Sequence, residues 1–184
     1  MPPAHADPGA GAPTGPERLA LVGLGSNLGE SAVEVRKALT ALAGLPATRL
    51  LRHSRLFRTA PWGVTAQPAF VNAAAELATR LAPRELLDHL LAIEQRQGRH
   101  RHGERWGPRL IDLDLLCLGD LAVDEPGLVL PHPHLAERAF VLAPLADLDP
   151  DRMLPGVGRV RELLARVDAS GCVPLLEVGQ VRGE

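Results

Sequence analysis

The 184-residue chain has no tyrosine, two cysteines and no apolar run approaching the length of a membrane span. Each scarcity excludes something. A transmembrane helix needs about 20 consecutive apolar residues, so the hydrophobic 46% of this chain is expected to form a soluble core and no membrane partner is expected. Cys117 and Cys172 are too few for a disulfide framework and suit a reducing cytosol. A net charge of -2 leaves no global basic field, which argues against bulk nucleic-acid binding. The length fits one domain with a proper core.

The opening stretch, MPPAHADPGAGAPTGP, is rich in Pro, Ala and Gly and shows no hydrophobic period. It lacks the basic start and continuous apolar segment of a secretory leader. Residues 1–17 are therefore expected to be a disordered tail and residues 18–184 a single cytoplasmic domain.

What the chain does have is concentrated between Glu94 and Leu116, in EQRQGRHRHGERWGPRLIDLDLL. Arg99, Arg101, Arg105 and Arg109 surround Trp106, and guanidinium forks suit phosphate oxygens. Asp112 and Asp114 follow at strand spacing, about 7 Å apart on one face. Two carboxylates so placed repel unless a cation lies between them, and Mg²⁺ completes its shell with water and nucleotide phosphates. On the opposite face Ile111, Leu113, Leu115 and Cys117 form an apolar row. A strand whose aspartates merely keep one face wet is the plainer alternative, and the preceding arginines weigh against it. The combination points to phosphoryl chemistry.

Periodicity supplies the frame. Leu19 to Gly25 reads as a buried strand ending in a Gly-Ser-Asn turn, and GLGSNLGE lacks the residues of a phosphate-binding P-loop. Ser31 and Glu34 suggest a capping box for a helix that stops at Gly44. Thr48 to Phe57 and Phe70 to Thr79 read as strands, Pro83 opens a helix that Gly98 closes, and Ile111 to Leu118 is the next strand. The order β-α-β-β-α-β predicts an α+β, ferredoxin-like core, an antiparallel sheet with helices on one face, followed by C-terminal additions that include a short strand and a helix near Val157 to Val167.

Glu94 falls inside the apolar stripe of the second helix, where a carboxylate needs a partner. It either orders the Arg-rich loop or touches substrate. Phe70 and Asn72 share a strand face and could stack on a flat ring and read its edge. His132 in LPHPH reads alone as a turn residue. An RNA-binding module has the same element order, but LALVGLG carries no aromatic platform and paired aspartates would repel RNA. Charge placement does not exclude a kinase moving only a γ-phosphate.

In chain order, GLGSNLG, FRTAPWG, QPAFVNAA, IEQRQGR, RWGPRLIDLDLL and LPHPHLAERAFVLAPL resemble the 6-hydroxymethyl-7,8-dihydropterin pyrophosphokinases of folate biosynthesis, over roughly Leu19 to Pro150. The resemblance implies an ATP-dependent pyrophosphoryl transferase that acts on the pterin hydroxymethyl group and releases AMP, with two Mg²⁺ ions and a monomeric chain. It implies Asp112 and Asp114 as metal ligands and, with Arg99 and Arg109, as catalytic residues. Glu94, Arg101, Trp106, His132 and Arg138 match ATP-side positions. Phe70 and Phe140 match the two sides of a pterin sandwich, Asn72 its edge reader, and Thr59, Ala60 and Trp62 a segment that meets the pterin through its backbone. Family members often carry Tyr where this chain has Phe70, so stacking is kept without a hydroxyl. Pro133 stands where an aromatic residue is frequent. The loop from about His100 to Gly107, with few apolar residues and Gly at its weak points, is expected to close only over nucleotide.

Overall fold

The computed structural model describes residues 15–61, 66–98 and 108–176. The apolar run that ends in Gly-Ser-Asn forms β1 (Arg18–Ser26), followed by α1 (Ser31–Ala43), β2 (Thr48–His53), β3 (Phe57–Thr59), β4 (Phe70–Thr79) and α2 (Pro83–Arg96). The Asp-containing strand is β5 (Asp112–Leu118). After it come β6 (Val123–Glu125), β7 (Leu128–Leu130), α3 (Ala139–Leu148), β8 (Met153–Leu154), β9 (Gly158–Arg159), α4 (Val160–Leu164) and β10 (Val173–Pro174). The main sheet runs β10-β3-β4-β1-β5, β2 also pairs with β4, and every pairing is antiparallel. No helix among the described residues is long and apolar enough to cross a membrane.

Local chemistry explains the boundaries. Pro83 opens α2, where its missing N–H costs nothing, and the Glu85 carboxylate accepts the Ala82 N–H at 2.8 Å. Gly98 ends it at φ +89, a conformation other residues resist. The capping box expected at Ser31 does not form: Glu30 occupies the cap, and Glu34 instead accepts from Lys37 at 2.8 Å. The strand expected over Thr48 to Phe57 is broken at Ser54, whose hydroxyl replaces a backbone carbonyl. Ser54 Oγ accepts the Ala74 N–H at 2.9 Å while the Ser54 N–H donates to Ala74 O at 2.8 Å.

Two apolar layers flank the sheet. On one face Val35, Leu39 and Leu42 of α1 and Leu86, Leu90 and Ile93 of α2 pack on Val22, Ala75, Leu77, Leu113 and Leu115. On the other, Val141, Leu142 and Leu145 of α3 and Leu163 of α4 pack on Leu21, Ala74 and Leu116. Helices therefore cover both faces, not one as the element order suggests. The helix α3 is hard to see in sequence because Val141, Leu142, Ala143, Pro144 and Leu145 are all buried, which erases the amphipathic period, and because Pro144 reads as a breaker.

Cys117 also departs from the apolar row expected for it. The register of β1 on β5 slips between Leu21 and Val22, so that Leu21 pairs with Cys117 and Val22 with Leu115. The extra residue at this bulge turns Cys117 towards α3 and α4 and sends Leu118 to the α1 and α2 side. There burial pushes the Cys117 thiol up to about 11, against the pull of Arg152.

Candidate active site

The face of the sheet beneath α3 changes character along its length. Near α3 it carries Leu21, Ala74 and Leu116; beyond, the same alternating positions are Gly23 and Gly25 on β1, Asn72 and Phe70 on β4, and Asp114 and Asp112 on β5. The core thus opens into a cleft with a glycine floor. Gly25 pairs with Asn72 on one side and Asp112 on the other, while Gly23 pairs with Ala74 and Asp114. A Cβ added at Gly25 would lie 2.7 Å from Asn72 Oδ1, so only glycine leaves the floor flat here. The cleft is lined by Gly23, Gly25, Thr59, Ala60, Phe70, Asn72, Arg109, Asp112, Asp114, Arg138 and Phe140 among others.

Each wall has its own support. Asn72 is buried and donates from Nδ2 to Thr59 Oγ1 at 2.6 Å, which fixes the direction of its amide. Phe70 pairs across the ladder with Thr59. Phe140 lies in the first turn of α3, and the Arg138 guanidinium is 5.6 Å from its ring centroid. Arg138 is 4% exposed and faces Asp114 at 3.7 Å, and Arg109 Nη1 bonds Asp112 Oδ2. Burial lowers the Arg138 pKa, opposed by Asp114 and Asp112.

Three further residues shape the site. Asn27 is buried at the end of β1: its Oδ1 accepts the Arg109 N–H at 2.9 Å, and its Nδ2 donates to Gln67 Oε1 at 3.0 Å and Pro68 O at 3.3 Å. One side chain so joins the start of the Asp strand to the loop before Phe70. Read from sequence alone, Asn27 is only part of a turn, because both partners are distant along the chain. Glu94 is 2% exposed, and its Oε1 accepts the Leu113 N–H at 2.7 Å, between the two aspartates. It lies outside the cleft lining and anchors β5 from beneath. His132 accepts the His134 N–H on Nδ1 at 3.2 Å, leaving its proton on Nε2. Burial, then Arg138 and His134, push its pKa down to about 4, with Asp112 pulling the other way.

The donor set bears on a metal. Among the described residues no group of three or more His, Cys, Asp or Glu could enclose an ion. Two carboxylates facing one cleft are nonetheless the oxygen set that Mg²⁺ uses when substrate phosphates and water complete its shell. Asp112 and Asp114 fit that group. Trp62, Arg99, Arg101 and Trp106, and the loop expected to close over nucleotide, lie outside the described residues.

Comparison with known proteins is decisive for the family. Residues 21–150 match the model of 7,8-dihydro-6-hydroxymethylpterin-pyrophosphokinase. The chain belongs to this family. It is 51% identical over 150 residues to a 2-amino-4-hydroxy-6-hydroxymethyldihydropteridine pyrophosphokinase of Pseudomonas aeruginosa, covering 82% of this chain and 92% of the relative. The enzyme of the same name from Methylorubrum extorquens is 47% identical over 152 residues, covering 83% and 95%. Among solved structures, wild-type Plasmodium falciparum HPPK-DHPS with pterin and p-hydroxybenzoate superposes with TM-score 0.65 at 15% identity, over 83% of this chain and 42% of that longer one. At that identity the likeness is one of fold. The pyrophosphokinase match ends before β8, so α4 and β10 follow the matched segment.

Proposed function

We propose that this chain transfers the pyrophosphoryl group of ATP to the hydroxymethyl oxygen of 6-hydroxymethyl-7,8-dihydropterin, giving the pterin diphosphate and AMP in folate biosynthesis. The observation that carries the reading is the row Asn72, Gly25, Asp112, which sets an edge-reading amide and a metal-binding carboxylate on either side of a flat floor. Membership of the pyrophosphokinase family supports the activity. The sheet order, with β4 and β1 central and α1 and α2 on one face, supports a ferredoxin-like core that α3 and α4 extend.

In this reading the pterin ring lies on Gly25 between Phe70 and Phe140, with Asn72 and the Thr59–Ala60 backbone at its edge. Planar stacking supplies affinity, and the amide supplies orientation. Asp112 and Asp114 would hold two Mg²⁺ ions together with the nucleotide phosphates. Bound there, the metal would neutralise phosphate charge and favour in-line attack. The chain's own part is positioning. Arg109 and Arg138 already face the two carboxylates, which places their guanidinium groups to meet phosphate oxygens, where charge develops as the β-phosphorus is attacked. His132, neutral at pH 7 with its Nδ1 accepting from His134, would offer its Nε2 proton to the nucleotide. Glu94 keeps β5 in register beneath the aspartates, on the nucleotide side. Arg99, Arg101 and Trp106 complete the triphosphate side, Trp62 the pterin side. The chain acts as a cytoplasmic monomer without a nucleic-acid partner.

Mass spectrometry of the pterin after incubation with Mg²⁺ and ATP tests the proposal. The expected product carries two phosphorus atoms. A product carrying one makes the chain an ordinary kinase.

A further inference from the structure

The segment beyond the family match returns to the sheet at the edge beside the pterin wall. β10 pairs antiparallel with β3, Val173 opposite Arg58 and Pro174 opposite Phe57, and the Leu175 N–H donates to Leu56 O at 2.7 Å. On its other edge β3 pairs with β4, Phe57 opposite Asn72 and Thr59 opposite Phe70. Three residues of strand are too few to hold a position alone, and β10 gives β3 a second neighbour. The side chains of β10 add little to the core, since Val173 is 56% exposed. Its contribution is the backbone pairing.

The turn before β10 meets the same wall. It is closed by the Ser170 N–H on Asp168 Oδ1 and the Cys172 N–H on Ala169 O, each at 2.9 Å. A Cβ built at Gly171 would lie 3.8 Å from the Ala60 Cβ. Between this turn and the wall is a second cleft, lined by Ala60, Pro61, Phe140, Val167, Gly171 and Cys172 among others. Ala60 and Phe140 therefore face the first cleft on one side and the C-terminal turn on the other.

We infer that residues 167–175 are a positioning element for the pterin wall, holding Thr59, Ala60 and the outer side of Phe140 at the spacing the ring requires before it arrives. The inference rests on the first cleft being the pterin site. Preorganisation of this kind lowers the ordering cost of binding one substrate and leaves the other untouched. Asp112, Asp114 and Arg109 are on the far strand or its approach, away from β10.

Two full-length variants test it. Leu175→Pro removes the N–H donated to Leu56 together with a side chain that packs on the core, and Gly171→Leu, which leaves both in place, carries atoms beyond an ordinary contact into Ala60, whereas Gly171→Ala does not. Calorimetry would give the Kd of the pterin in the presence of Mg²⁺ and a non-hydrolysable ATP analogue, and of the analogue alone; steady-state rates would give KM and kcat. Expected are a rise of roughly tenfold in pterin Kd and KM, with nucleotide Kd and kcat unchanged and Gly171→Ala like the parent. Should Leu175→Pro fail to fold, Gly171→Leu carries the test. Parent-like pterin binding in Gly171→Leu, or equal weakening of both substrates, overturns the inference. If the unaltered chain binds nucleotide but no pterin, the reading of the first cleft falls, and this inference with it.

Discussion

Asn72 and Asp112 lie on opposite sides of Gly25, each its direct partner in a neighbouring strand. In the proposed reading, the residue that would read the ring edge and the residue that would hold a cation are thereby separated by one strand of glycine floor. At this spacing Gly25, unlike Gly23, has no room for a side chain. Gly25→Ala would set a methyl group 2.7 Å from Asn72 Oδ1, forcing the amide off Thr59. Pterin affinity should fall by about 1–3 kcal/mol, the usual cost of overpacking. Calorimetric titration with pterin checks this, and unchanged affinity would show that the ring does not lie on Gly25.

The aspartates should matter more to turnover than to folding. Asp112→Asn and Asp114→Asn keep shape and remove one charge each, and should cost roughly 3 kcal/mol or more of transition-state stabilisation. Melting temperatures should also fall, more for Asp114→Asn than for Asp112→Asn, because Asp114 faces the Arg138 guanidinium, which is 4% exposed and is left buried with less compensating charge, whereas Arg109, paired with Asp112, is more open. Near-parental rates in saturating Mg²⁺ for both variants would remove the metal assignment.

Stacking and chemistry should separate. Phe70→Ala and Phe140→Ala remove ring area and should weaken pterin binding by about 1–3 kcal/mol, on the scale of base–aromatic stacking, with nucleotide affinity hardly changed. Arg109→Ala should lower kcat more than pterin affinity. If Phe140→Ala binds pterin normally and loses ATP, the two halves of the cleft are assigned the wrong way round.

His132 predicts a pH dependence of stability in the metal-free chain. Its pKa falls from 6.5 to about 4 on folding, so between these values the unfolded chain binds the proton more readily. Stability contributed here is present above about pH 6.5 and is lost as pH falls towards 4. Compared with His132→Gln, the parent should lose roughly 2–4 kcal/mol across that window, by denaturant unfolding in EDTA. A difference independent of pH would contradict the burial of a neutral ring.

How much was legible in sequence follows the range of each interaction. The strand Phe70 to Thr79, the helix opened by Pro83 and the shared face of Asp112 and Asp114 rest on patterns within one element, and they stand as read. The inward Glu94 was visible as a carboxylate in an apolar stripe, although its partner, the Leu113 N–H, lies on another element. What escaped is non-local. Asn27 joins residues forty and more positions away, the bulge that reverses Cys117 arises from the pairing of β1 with β5, and α3 owes its helix to a face of the sheet that no local period announces. The return of β10 to β3 is of the same kind.

The central claim concerns which phosphorus is attacked, and the nucleotide product reports it directly. Purified protein with Mg²⁺, ATP and 6-hydroxymethyl-7,8-dihydropterin should release AMP in step with pterin consumed, and chromatography of the nucleotides would show it. ADP as the pterin-dependent product would contradict pyrophosphoryl transfer, and nucleotide turnover indifferent to pterin would contradict the site.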